Sequence, residues 1–128
     1  SVARIKYGLQ KELFLGNIKT KRDWGHAKDY VNAMWLMMQQ KKPTDFVIAT
    51  GKQFSVEQFA KLAFRVAGLN YKDYIKIDKK LFRPAEVNTL IGNYSKAKKL
   101  LRWKPKINFE DLVYDMVESD LRLVERNL

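Results

Sequence analysis

Apolar residues recur at helical spacing in several stretches, and these set the outline of the fold. Val2, Ile5 and Leu9 fall on one face of a helix over residues 2–9. Nothing before Ser1 can position its first turn, and a helix opening at the first residue is expected of a chain cut from something longer. Leu13-Phe14-Leu15 is a short apolar strand closed by the turn dipeptide Gly16-Asn17. A strongly amphipathic helix follows His26: Ala27, Tyr30, Val31, Met34, Trp35 and Met38 mark its apolar face up to about Gln40, and Pro43 stops it. Asp45 to Thr50 (DFVIAT) is a continuous apolar run, as expected for a strand buried on both faces of a parallel sheet.

Ser55-Val56-Glu57-Gln58 is a capping box, with Phe54 and Phe59 at the staple positions around it. The helix it opens runs through Leu62, Ala63 and Val66 to Gly68, which suits a left-handed stop. Residues 74–77 form a short strand, and Ser95 to Leu101 a short basic helix. Asn108 caps a last helix in which Glu110 and Asp111 sit favourably against the helix dipole. Its apolar face is Phe109, Leu112, Val113, Met116, Val117, Leu121 and Val124. The pattern predicts one mixed α/β unit, mostly helical, spanning residues 1–128.

A chain of 128 residues suits one domain, and its apolar and aromatic content is enough for a core. It has no cysteine, which excludes disulfides and thiolate metal sites. No secretory signal is visible, and the apolar runs are too short to span a bilayer, so a soluble, cytoplasmic protein with no membrane partner is expected. The formal net charge of +11 suggests an anionic partner. The excess is mostly lysine scattered along the chain, which favours a solvated surface over a functional patch.

Several chemistries are poorly served. The six glycines lie far apart, so neither a dinucleotide-binding Gly-x-Gly-x-x-Gly loop nor a Walker loop exists. One histidine without cysteine makes a zinc site improbable, and His26 reads better as a helix-start residue than as a base or ligand. The Tyr-x-x-x-Lys pairs Tyr7…Lys11 and Tyr94…Lys98 are expected by chance among six tyrosines and eighteen lysines. The aromatics Trp35, Phe59, Phe64 and Phe109 lie on helix faces expected to form the core, and no nucleic-acid module is visible.

Two segments are not explained by packing: Arg22-Asp23-Trp24-Gly25-His26, just before a helix, and Arg83-Pro84-Ala85-Glu86, in a loop. Arginine offers a planar bidentate fork to phosphate or carboxylate. Pro84 stiffens the loop behind Arg83. The helix after His26 presents free N–H groups to an anion. Two arginines converging on a diphosphate would form a clamp, with Glu86 accepting from a hydroxyl. Alternatively Arg22 pairs with Asp23 or Asp29, and Arg83 with Glu86, as surface ion pairs worth little. The residues alone leave both readings open.

The sequence resembles the C-terminal half of GDP-mannose 4,6-dehydratases, within the extended short-chain dehydrogenase/reductase family. The landmarks are Leu15-Gly16-Asn17, the block Lys21 to Met38 (KRDWGHAKDYVNAMWLMM), Asp45 to Gly51 (DFVIATG), Phe82 to Val87 (FRPAEV) and Trp103-Lys104-Pro105. The resemblance implies an NADP-dependent parent enzyme that converts GDP-mannose into GDP-4-keto-6-deoxymannose with loss of water. It implies that the glycine-rich cofactor loop and the catalytic Thr/Glu/Tyr/Lys set lie upstream of this chain. A Rossmann-type fold with its cofactor core missing is then expected, with catalytic residues and cofactor absent from this chain and no activity of its own.

By the same resemblance, Arg22 and Arg83 are pyrophosphate ligands and Glu86 a ribose or sugar hydroxyl acceptor. Gly16 and Asn17 lie against the nucleotide, and Trp24 supports Arg22 by packing. The helix–strand unit at 26–50 would normally complete the cofactor domain. Its orphaned strand invites self-association near residues 45–50, so a homo-oligomer is expected. The expected partner is GDP-mannose or GDP, not nucleic acid. The alternatives are a domain of another nucleotide-sugar epimerase or dehydratase, or a stand-alone basic binding module without catalysis.

Overall fold

The computed structural model describes all residues from Ser1 to Leu128. The elements in chain order are α1 (Val2–Lys6), β1 (Leu13–Leu15), β2 (Lys21–Arg22), α2 (Ala27–Met38), β3 (Phe54–Ser55), α3 (Val56–Val66), β4 (Ile75–Ile77), α4 (Ser95–Leu101) and α5 (Phe109–Glu125). Short 3-10 turns cover Tyr71–Asp73 and Lys79–Leu81. The chain forms two compact units: unit I holds Ser1–Thr20, Ser55–Asn88 and Val113–Leu128, and unit II holds Lys21–Phe54 and Thr89–Leu112.

In unit I, β1 and β4 pair in parallel, with Leu13 opposite Ile75 and Leu15 opposite Ile77. The capping box of α3 forms as its sequence requires: Gln58 N–H donates to Ser55 Oγ (3.0 Å), and Ser55 N–H donates to Gln58 Oε1 (2.7 Å). Gly68 takes the left-handed conformation just after this helix. Ala60, Ala63 and Phe64 of α3 are buried, as are Ala3 and Ile5 of α1 and Val113 and Val117 of α5. Tyr74 stacks on Phe64 at 5.7 Å. Helix α1 is shorter than the apolar spacing suggests. Gly8 turns left-handed, and the Gly8 and Leu9 N–H groups donate back to Ile5 and Arg4 carbonyls. Leu9 is thereby carried off the helix face and exposed.

Unit II is built on α2 and α4 around Ala33, Ala97, Leu101 and Trp103, with Tyr30, Leu36, Phe46 and Tyr94 packed against them. Lys21 of β2 bridges to Thr89. Here two expectations are corrected. Residues 45–50 form no β-ladder. Side chains hold the segment instead: Lys96 Nζ donates to Thr44 Oγ1 (2.8 Å) and to the Asp45 carbonyl (2.7 Å) and lies 5.3 Å from the Phe46 ring centroid. An apolar run becomes a strand only where a neighbouring strand accepts its backbone.

The second correction concerns α2. Its buried side carries Asp29 and Ala33, whereas the face read as apolar core is exposed: Val31 61%, Met34 59%, Trp35 60% and Met38 82%. Periodicity correctly identifies the helix, but the unit packs on the face carrying Tyr30, Ala33 and Met37. No helix is long and apolar enough to cross a membrane.

Candidate functional site

The segment Arg22–His26 is fixed residue by residue in unit II. Asp23 is the hub. Its Oδ1 accepts from Thr50 N–H (2.8 Å) and Thr50 Oγ1 (2.6 Å), and its Oδ2 from Gly51 N–H (2.9 Å) and Gly92 N–H (3.2 Å). Glycine is required on the receiving side. Gly51 has φ of 72°, and a Cβ on Gly92 would collide with the Ala49 methyl. Trp24 Nε1 donates to the Phe54 carbonyl (3.1 Å), and Phe54 in turn stacks on Phe109 at 3.9 Å. Gly25 lies under the Tyr30 ring, where any side chain would overlap the phenol. His26 caps α2 through Nδ1, which accepts from Lys28 N–H at 3.1 Å, the helix-start role expected of it. Burial, with Asp23 and Asp29 nearby, raises the Tyr30 pKa above its ordinary value. Arg22 itself is half-buried, and its Nη1 donates to the Lys21 carbonyl at 2.8 Å.

Asp29 is buried and anchors the other side of α2. Its Oδ2 accepts from Lys106 N–H (2.8 Å) and Ile107 N–H (2.9 Å), while its carbonyl accepts from Trp103 Nε1 (3.0 Å). The sequence singled out both aspartates only as surface partners for Arg22. Their carboxylates instead tie backbone amides together across 27 to 78 residues of chain. The available signal was an acidic residue inside an apolar-flanked helix start, and it carried no information on distant partners.

Unit I holds the other predicted residues. The Leu15 carbonyl accepts from Asp78 N–H at 2.9 Å, which continues the β1–β4 pairing beyond its last register pair. The next residue, Gly16, passes so close to the 79–81 turn that a Cβ built on it would lie 2.7 Å from the Leu81 carbonyl oxygen. Gly16 therefore sits directly against the turn that delivers Arg83. Asn17 Oδ1 accepts from Lys19 N–H (3.0 Å), and its carbonyl accepts from Thr20 Oγ1 (3.0 Å), which closes the loop after β1. Leu81 to Ala85, including Arg83, are exposed, and Glu86 is half-buried. Of the predicted site residues, Gly16, Asn17, Arg83 and Glu86 belong to unit I and Arg22 to unit II.

Beside this loop, Lys19 Nζ and Glu57 Oε2 meet at 2.6 Å, and Tyr71 OH donates to Glu57 Oε1 at 3.2 Å. The hydrogen bond from Lys19 holds the Glu57 carboxyl below its ordinary pKa, and the same bond raises that of Lys19. In unit II a cleft of about 240 Å³ is lined by Trp24, Thr50, Phe54, Tyr94, Ile107 and Phe109. It falls under the roughly 300 Å³ at which small-molecule sites begin. No group of three or more His, Cys, Asp or Glu residues is placed to hold a metal ion.

Known proteins resemble this chain over nearly all of it. The family model described as GDP-mannose 4,6 dehydratase matches residues 1–116. GDP-mannose 4,6 dehydratase 1 of Arabidopsis thaliana is 56% identical over 126 residues, which is 98% of this chain and 35% of the plant protein. This chain thus spans about a third of that relative's length. Among solved structures, RMD from Pseudomonas aeruginosa, complexed with NADPH, superposes with a TM-score of 0.84 at 21% identity, covering 95% of this chain and 40% of that one. UDP-glucose 4-epimerase from Thermotoga maritima, with UDP-glucose, gives a TM-score of 0.80 at 28% identity, covering 96% and 38%. The mixed α/β fold is therefore shared with part of these longer structures, and the chain belongs to the GDP-mannose 4,6-dehydratase family.

Proposed function

We propose that this chain is the GDP-sugar-binding part of a GDP-mannose 4,6-dehydratase and is inactive by itself. In this reading Arg22 and Arg83 are the pyrophosphate ligands, Glu86 accepts from a ribose or sugar hydroxyl, and Gly16 and Asn17 lie against the nucleotide. The observation that carries it is the close approach of Gly16 to the Leu81 backbone, which sets the predicted nucleotide turn against the base of the predicted phosphate loop within one compact unit. The parent reaction is the conversion of GDP-mannose to GDP-4-dehydro-6-deoxymannose and water with NADP. These residues do not fit a dinucleotide. The left-handed glycines, Gly8, Gly51 and Gly68, stand singly after α1, before β3 and after α3, and none follows a strand to open a helix.

The exposed α2 face of Val31, Met34, Trp35 and Met38, together with the exposure of Val47, supports a second part of the proposal. On this reading the helix and residues 45–50 complete the cofactor domain of a longer parent protein. In this chain alone the same surface drives self-association. Sedimentation should show concentration-dependent dimers or larger species, and a strict monomer at high concentration would count against it.

Resemblance to the Thermotoga epimerase, with its UDP-glucose, favours one runner-up, a site for another nucleoside-diphosphate sugar. Calorimetric titration with GDP, UDP and single-stranded DNA separates the readings. GDP binding that is weakened in Arg22→Ala and in Arg83→Ala is expected. Tighter binding of UDP supports the runner-up, and tighter binding of DNA points to a basic binding module.

A further inference from the structure

We infer that Asp23 is the positioning residue for Arg22, an inference that rests on the pyrophosphate role proposed for Arg22. The Asp23 carboxylate sits in a receptor built only of donors: two hydrogen bonds reach Oδ1 from Thr50 and two reach Oδ2 from the amides of Gly51 and Gly92. The receptor depends on Gly51 and Gly92, whose backbones reach conformations or approaches that side chains forbid. Four donors around one ionised carboxylate form charge-assisted bonds, which are shorter and stronger than neutral ones. They lock the Asp23 backbone, and with it the Cα of the adjacent Arg22.

The neighbours on the far side are locked as well. Trp24 is tied to the Phe54 carbonyl, Gly25 is pressed under Tyr30, and His26 caps α2. The Arg22 side chain, whose Nη1 donates to the Lys21 carbonyl, therefore starts from a fixed base, so less freedom is lost when its guanidinium meets a phosphate. A carboxylate is the group the receptor requires. An asparagine must turn its NH2 toward one of the donor pairs, forfeiting those bonds and setting donor against donor.

A purely structural Asp23 would affect stability and nothing more, so the test reads Arg22 directly. GDP titrations of this chain compare Asp23→Asn, Arg22→Ala and the double variant. Asp23→Asn is expected to weaken GDP binding by about fivefold, and the double variant to bind no more weakly than Arg22→Ala, because a displaced arginine has little left to lose. In the ligand-free chain, the 15N–1H heteronuclear NOE of the Arg22 Nε–H should fall in Asp23→Asn while those of Arg65 and Arg122 hold. Should Asp23→Asn fail to fold, Thr50→Val removes the hydroxyl bond to Asp23, with the bond that Lys52 N–H donates to the same hydroxyl, keeps the three amide bonds, and should lower the same NOE by less.

If Arg22→Ala weakens GDP binding and Asp23→Asn does not, or if the two effects multiply, the inference is overturned and the pyrophosphate role stands. If Arg22→Ala leaves GDP binding intact, the pyrophosphate role fails and the inference goes with it. An unchanged Arg22 NOE in a folded variant overturns the inference without any ligand.

Discussion

The two arginines singled out by the sequence are delivered in opposite ways. Arg22 leaves a two-residue strand into a segment where Asp23, Trp24, Gly25 and His26 are each held by a named partner. Arg83 stands in an exposed stretch, Leu81 to Ala85, that follows a 3-10 turn. Its stiffness comes locally from Pro84 and from the turn, in which Asp78 Oδ1 accepts from Lys80 N–H at 2.9 Å. The first arginine thus gets its geometry from a folded scaffold and the second from loop chemistry. On the proposed phosphate-binding roles, Arg22 is a group already in place and Arg83 one that must be ordered on binding. The ordering lowers affinity but permits adjustment.

The comparison can be broken most forcefully at the scaffold. Asp29→Ala strands two amides, of Lys106 and Ile107, against the buried side of α2. It should destabilise the chain by about 2–4 kcal/mol, read as a lower urea midpoint, because unsatisfied buried groups lose their full solvation. A change below about 0.5 kcal/mol, the level of an ordinary surface substitution, would show that the scaffold is not what holds this segment.

Conservative exchange of each arginine sharpens the contrast. Lysine keeps the charge but loses the fork, so Arg22→Lys should weaken GDP binding by about tenfold and Arg83→Lys by about threefold. The fixed backbone at 22 cannot shift to seat an ammonium, and the loop at 83 can. Equal losses would erase the distinction. Pro84→Gly should weaken GDP binding a few-fold through the roughly 0.4–1 kcal/mol of added chain freedom. It should lower the urea midpoint far less than Asp29→Ala does.

The smallest effect is expected at Glu57, which pairs with Lys19. Its carboxyl is held below the ordinary pKa by Lys19, so the stability it contributes is present above the unfolded-state value, about 4.3, and lost as pH falls through the lower folded value. Glu57→Gln should flatten that part of the acid limb of a stability–pH curve and leave the neutral region almost unchanged, since Lys19 is well exposed. An acid limb identical to wild type would remove Glu57 from the account.

Local chemistry was legible in the sequence, whereas long-range pairing was not. The box at Ser55 and Gln58, the cap at Asn108 (Asp111 N–H to Asn108 Oδ1, 2.8 Å), the stop at Gly68 and the cap at His26 are all decided within a few residues. Residues 45–50 failed as a strand because a strand needs a partner that the run itself does not encode. Helix α2 failed in its face, not in its existence. Its apolar residues ring most of the helix, and the choice between Ala33 and Trp35 as the buried one depends on Trp103, nearly seventy residues away. Asp23 was legible only as a neighbour of Arg22, because its donors arrive from Thr50, Gly51 and Gly92. The arginines themselves stood out because arginine is scarce in a lysine-rich chain, a signal of chemistry more than of fold.

The central claim is that Arg22 and Arg83 hold the pyrophosphate of a GDP-sugar, and the ratio of GDP to GMP affinity tests it most directly. GMP carries the same base and ribose with one phosphate, so the ratio isolates the group the arginines are proposed to meet. The account predicts that the chain prefers GDP and that Arg22→Ala and Arg83→Ala each bring the ratio close to one. A preference that survives both substitutions would contradict it.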